Sequence, residues 1–345
     1  VAKIEAFSYN LPRSAPHSGD STPLAGSLTV QESSPAALSK PPKALPRYRR
    51  APEQAPPITL TRRDICLLED IWRFGLLTTS HIETLRQADD KPELRFASRL
   101  TLTRRLKLLF HHRYVRRLPR PLAAGSQEPV YVLDHNGARV LSLQHGQVTA
   151  KAPSRLPKTA ALDHLLEVVQ FRVAITALPS LSLSSTASTA TAGTGDGARL
   201  QDWLPGDKVR FRVPVEAPGE RRQIVSIVPD AGLVVRSSGM RHYYFLEVDR
   251  GTEAGRILTA KGVAYASYWK SGGFARDFGV PAGMGFRVLL VAPTPVRAQT
   301  ITKALQPLGD LRVLFRIALA SDITPQKVGS AIWMDVKTGG RCSLC

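Results

Sequence analysis

Asp230 follows Pro229 directly, and Glu247 and Asp249 flank Val248 at the end of the run RHYYFLEVD. Proline fixes the backbone before Asp230 and makes a bend from which a side chain projects off a sheet. Residues two apart on a strand share a face, so Glu247 and Asp249 point together while Val248 points the other way. The runs QIVSIVPDAGLVVR and RHYYFLEVD read as strands joined by a turn at Ser237-Ser238-Gly239, which puts Asp230 and Glu247 on neighbouring strands of one hairpin. Carboxylates gathered this way supply hard oxygen donors for Mg²⁺ or Mn²⁺. Such an ion activates water and stabilises charge on a phosphate in transit. On this reading Asp230, Glu247 and Asp249 are both metal ligands and catalytic residues of a metal-dependent endonuclease.

Auxiliary groups lie nearby. Lys261 sits on the helix after Asp249, about three turns on, a long reach for its ammonium. Glu167 falls on the helix before the hairpin, and Glu253 opens the helix after it, where the macrodipole favours an acid whatever its role. Two other readings of the acids stand beside catalysis. In one, Asp249 pairs with Arg250, Arg241 or Arg256 and the motif is a salt-bridge corner. In the other, the acidic sheet end is a platform for DNA or protein.

The elements that must position these acids fill the second half of the chain. ALDHLLEVVQFRVAITAL has the apolar spacing of a helix, with Leu162, Leu165, Leu166, Val169 and Val173 on one face. KVRFRV reads as a further strand, TEAGRILTAKGVAYASYWK as a helix, GFRVLLVAP as a buried strand, TPVRAQTITKAL as a helix opened by Thr294 and Pro295, and LRVLFRIAL as a strand. Helices and strands in this order predict an α/β sandwich around a mixed sheet over 160–325. The Ser/Thr-rich stretch 179–199 reads as a flexible insertion, and 326–345, with its lone Cys342-Ser-Leu-Cys345, as a tail.

The first half has a different texture. Residues 1–57 hold ten of the 26 prolines and no periodic apolar pattern, so they cannot bury enough surface to order themselves. From 58 to 150 the pattern is three helices, a strand, a Pro/Gly-rich turn, a strand and a short helix. That is the order of a winged helix-turn-helix domain, with 151–159 as the linker behind it. The first helix ends at Gly75, a second runs from Ser80 to Arg86 with Ser80 and Glu83 as its capping pair, and a third runs from about Leu94 to Phe110.

The formal charge is +19, and it is clustered. Between Leu94 and Arg120 there are nine basic residues and no acid: Arg95, Arg99, Arg104, Arg105 and Lys107 on the third helix, and Arg113, Arg116, Arg117 and Arg120 at the wing. A third helix in the major groove with a wing on adjacent backbone would use these cations on the phosphates of double-stranded DNA. The alternative is a solvated face of a helical domain that bridges proteins.

Other classes find little support. There is no GxxxxGK[ST] phosphate loop and no HxH cluster of the relaxase kind. Three cysteines make no disulfide framework and fit a reducing compartment. No apolar run reaches the ~18 residues that span a bilayer, and the first 25 residues lack a signal-peptide core. The sequence reads as cytoplasmic and not membrane-bound.

Pro229-Asp230 and Glu247-Val248-Asp249 resemble the PD-(D/E)XK nuclease superfamily, with Asp249 where that motif has lysine. The whole layout is similar to the replication-relaxation family of bacterial mobile elements: YVLDHNGARVL, LDHLLEVVQFRVAI, VPDAGLVV, YYFLEVDRGTE and KGVAYASYW carry the resemblance over roughly 60–320. The resemblance implies a DNA-binding accessory protein of plasmid replication or mobilisation, working with a relaxase or replication protein, as a homodimer if it follows winged-helix habit. A metal-dependent endonuclease and a winged-helix transcriptional regulator are the rival functions.

Overall fold

The computed structural model describes residues 48–118, 128–146, 150–184, 198–215 and 223–345. Arg120 with the expected wing turn, most of the expected tail 1–57 and the middle of the expected insertion 179–199 lie outside the described residues.

The N-terminal unit begins with α1 (Arg62–Phe74), β1 (Leu77–Thr78), α2 (Thr79–Gln87) and α3 (Arg99–His111). Then come β2 (Val115–Leu118), β3 (Val130–Leu133) and α4 (His135–His145). The three strands form an antiparallel sheet in the order β1-β3-β2. Gly75 closes α1 at φ 80°, a conformation that costs glycine little. Two boundaries differ from expectation. Thr78, not Ser80, caps α2, with His81 completing the box. The third helix starts at Arg99, because Pro92–Leu94 forms a short 3-10 turn and Ser98 caps α3. That leaves Arg95 before the helix, its guanidinium on the Asp89 carbonyl at 2.7 Å.

The second unit opens with α5 (Thr159–Ser184), followed by β4 (Arg199–Pro205), β5 (Phe211–Val215) and β6 (Gln223–Ile227). Next are β7 (Ala231–Ser237), β8 (Met240–Val248), α6 (Gly255–Lys270), α7 (Gly273–Phe278), β9 (Phe286–Ala292), α8 (Pro295–Leu305) and β10 (Phe315–Leu319). Seven strands make one mixed sheet, β12-β11-β10-β9-β8-β7-β4, with β8, β9 and β10 parallel and the rest antiparallel; its last members are β11 (Trp333–Asp335) and β12 (Arg341–Cys342).

Three expectations are corrected here. QIVSIVPDAGLVVR is two strands in two sheets: β6 pairs with β5 in a separate ribbon, while β7 joins the main sheet. Arg199, expected at the end of an insertion, begins edge strand β4. Residues 326–345, expected as a tail, extend the sheet, because Trp333 and Leu344 find a core to enter and are almost wholly buried.

Alternation along the strands makes two cores. Phe245, Phe286, Val288, Leu290 and Phe315 face α6 and α8, whereas Tyr244, Leu246, Val248, Leu289 and Val291 face α5. Helix α5 serves both units. Leu162, Leu166, Val169 and Val173 enter the N-terminal core, and Phe171, Ala174 and Ile175 enter the sheet core. The joint is reinforced by polar contacts. Gln170 Oε1 accepts from His81 Nε2 of α2 at 3.0 Å, and its Nε2 donates to the Ile323 carbonyl at 2.9 Å. The Arg172 guanidinium sits 4.5 Å above the Phe74 ring and 5.3 Å from Trp203, and donates to the Arg73 carbonyl at 2.6 Å. Among the described residues no helix is long and apolar enough to cross a membrane.

Candidate functional site

The acids lie where β7 and β8 end and α5 crosses them. The Asp230 backbone pairs with Leu246, and its Oδ2 accepts the Val248 N–H at 2.7 Å. Its Oδ1 meets His164 Nε2 of α5 at 2.8 Å. That bond raises the His164 pKa above its ordinary value. Gly206 holds this bend from beneath: its N–H donates to the Asp230 carbonyl at 3.1 Å, and a Cβ there would stand 2.3 Å from the Pro229 carbonyl oxygen.

Glu247 and Asp249 both face α6 and α8, as their spacing requires, but they do different things. Glu247 is buried, and burial with the nearby Asp230 charge pushes its carboxyl up to about 7. Tyr265 donates to its Oε1 at 2.7 Å and Lys261 to its Oε2 at 3.2 Å. The long reach of Lys261 is therefore met: α6 carries the ammonium back over the strand end, where it also bonds Glu253 at 2.7 Å.

Asp249 is locked away. Arg297 of α8 grips both its oxygens, one at 3.0 Å, and donates to the Glu253 carbonyl at 2.7 Å. A salt-bridge corner thus exists, but its cation is Arg297 rather than Arg250, Arg241 or Arg256. Arg250 instead approaches α5, 3.5 Å from Asp163 and 4.0 Å from Glu167, which places Glu167 at the rim rather than among the central acids.

Asp230, Glu247 and Asp249 therefore do not converge as the expected trio of metal ligands. Their oxygens are engaged by N–H and O–H donors, and no group of three or more His, Cys, Asp or Glu among the described residues is arranged to hold a metal ion. With Asp249 taken by Arg297, the carboxylates left for Mg²⁺ or Mn²⁺ in this set are Asp230 and Glu247. What it offers is a carboxyl that exchanges its proton near neutrality beside a partly exposed ammonium.

The sequence does not single out His164 on its amphipathic helix. Only the crossing of α5 over Asp230 brings it in. Arg297 and Tyr265 gave no signal either, since each lies on a helix whose register against β8 is a tertiary fact.

The expected DNA-facing cations divide just as sharply. Arg105 Nε donates to Asp64 at 2.6 Å and its Nη2 to the Thr59 carbonyl at 2.7 Å. Arg99 bridges Glu83 at 2.7 Å and Glu128 at 2.5 Å. Arg116 joins Arg50 on the buried Asp134, at 3.2 and 2.5 Å. The Arg117 guanidinium stacks 4.5 Å over Phe110. Arg104, Lys107 and Arg113 are exposed, and their side chains have no hydrogen bond or ion pair among the described residues. Arg113 sits at φ 58°, unusual for a residue with a Cβ.

A family model for replication-relaxation proteins matches residues 68–281, more than half of the chain. The chain belongs to the replication-relaxation family. The match runs from α1 through the acid cluster to α7, so the family's shared region contains both α3 and the Asp230–Glu247–Lys261 group. No curated protein matches this replication-relaxation chain. Among solved structures, the restriction endonuclease FokI matches with a TM-score of 0.27 and 11% identity over 76% of this chain and 42% of FokI. FokI bound to DNA matches with a TM-score of 0.21 and 12% identity over 76% and 43%. The chain spans less than half the length of these neighbours, and the likeness is too slight to bear on its chemistry.

Proposed function

We propose that this replication-relaxation protein binds double-stranded DNA through its N-terminal unit, read as a winged helix-turn-helix with α3 in the major groove, and that it acts as an accessory protein at a plasmid or mobile-element origin beside a relaxase or replication protein. The observation that carries this reading is the exposed, acid-free set Arg104, Lys107 and Arg113 on and after α3. Cations left unpaired beside others that are firmly paired fit a polyanion that is not part of the chain. Arg105 is removed from the contact set, because it holds Asp64.

The test is fluorescence anisotropy on duplex DNA across a salt series. Arg104→Ala with Lys107→Ala should weaken binding several-fold and lower the salt slope by roughly two. Unchanged affinity and slope would remove α3 from the interface.

One observation favours a second reading, phosphodiester cleavage at the sheet end: Lys261 stands 3.2 Å from Glu247, close to Asp230. Supercoiled plasmid supplied with Mg²⁺ or Mn²⁺ would then be nicked by the wild type but not by Asp230→Ala or Glu247→Ala. Absence of nicking by the wild type would leave the acids as part of a binding platform.

A further inference from the structure

The β5–β6 ribbon has one face in the core and one in water. Val209, Phe211, Val213 and Ile227 are buried against α6, and Ser267 Oγ of that helix donates to the Pro214 carbonyl at 2.5 Å, fixing the ribbon in place. Alternation turns Arg210 and Arg212 outward. Both are exposed, and neither side chain has a hydrogen bond or ion pair among the described residues. Across the ladder Arg212 stands opposite Ser226, and Pro214 opposite Ile224. Ile224 is 65% exposed and Val228 44%.

A merely solvated ribbon face accounts for the arginines but not for two large apolar side chains standing in water beside them. β5 and β6 themselves carry no acid; Asp207 lies in the turn before the ribbon, and Glu216 and Glu220, with Arg221 and Arg222, fall in the connection between the strands, outside the described residues. A two-stranded β-ribbon fits the major groove of B-DNA, where cations meet phosphates or guanine edges and apolar side chains meet thymine methyls. An acidic protein partner would satisfy the arginines alone; the mixed face is complementary to a groove.

We infer that the outer face of the β5–β6 ribbon is a second duplex-DNA contact, with Arg210 and Arg212 on the backbone or base edges and Ile224 and Val228 against the groove. This rests on the DNA-binding reading above and deepens it. The ribbon adjoins the acid cluster along the chain: Gly206, which bonds the Asp230 carbonyl, lies four residues before Arg210.

The experiment uses the full chain and a thymine-containing duplex of about three helical turns. Arg210→Gln with Arg212→Gln should weaken binding several-fold and lower the salt slope by one to roughly two, whereas Arg210→Lys with Arg212→Lys should keep the slope. In parallel, bromodeoxyuridine photocrosslinking of the wild type should map adducts to 208–215 or 223–228 as well as to α3. A Gln pair with wild-type affinity and slope, or crosslinks confined to α3, overturns the ribbon contact and leaves the α3 reading standing. A wild type that binds no duplex at all removes both.

Discussion

Two sets of carboxylates in this chain differ in what surrounds them. In the N-terminal unit, burial alone would raise the pKa values of Asp64 and Asp134, but hydrogen bonds outweigh it. Arg105 and Thr61 hold Asp64 low, and the His135 N–H, Arg50 and Arg116 hold Asp134 low, so both stay below the usual carboxylate range. Each acid ties two elements together and is at ease as an anion. At the end of the main sheet, burial wins: Glu247 rises to about 7 in spite of Lys261 and Tyr265. The same residue types thus serve cohesion in one region and create electrostatic tension in the other. In Glu247 burial outweighs both of its hydrogen-bond donors, a balance that the cohesive acids Asp64 and Asp134 do not show.

The contrast is broken most severely at an intermediate case. Asp70 is buried, and burial pushes it up to about 6 although Arg86 lies 2.6 Å away, aligned as an ion pair rather than a hydrogen bond. Arg86→Ala would leave that acid without its close cation. Chemical denaturation at pH 8 should show a loss of about 3 kcal/mol; a loss below about 1 kcal/mol would mean that Asp70 simply takes up a proton.

Next in size is the tension itself. Because the folded pKa of Glu247 is raised, the unfolded chain releases this proton first as pH rises. The stability it lends is full below about 4.3, falls across the interval, and is gone above about 7. Glu247→Gln removes this dependence. Its melting temperature should gain on that of the wild type between pH 5 and pH 8, by the equivalent of about 2 kcal/mol. A gap that stays constant with pH would show that Glu247 is ionised throughout.

The smallest effect sharpens the cohesive side. Thr61 caps α1 and bonds Asp64, its N–H at 2.7 Å from Oδ2. Thr61→Ala should cost about 1 kcal/mol in urea unfolding and raise the Asp64 pKa. An unshifted titration by carbon-13 NMR would assign the lowering to Arg105 and to the residue-61 N–H, which alanine keeps.

Much of the chain's local structure was legible because it follows short-range rules. The periodicity of α5, the Thr294-Pro295 opening of α8 and the turn between β7 and β8 all match their sequence signals. The family was legible in the same way, from PDA and LEVDRGTE. What escaped was long-range. β4 follows a run of small polar residues, and β11 is only three residues long, too short to show alternation. At the acid site, spacing put Glu247 and Asp249 on one face but carried no information about which helix residue each would meet. Lys261 and Arg297 are separated from them by 14 and 48 positions, and only packing of α6 and α8 decides the pairing.

The double service of α5 has a consequence for synthesis. A chain made from its N-terminus displays all of α1 to α4 before Leu162, Leu166, Val169 and Val173 exist. The N-terminal unit cannot close its core until those side chains have left the ribosome. Once α5 has docked there, its remaining face offers Phe171, Ala174 and Ile175 as a ready template on which the sheet assembles. One helix therefore ends the first act of folding and begins the second, and a nascent chain halted near residue 150 would expose the seam between them.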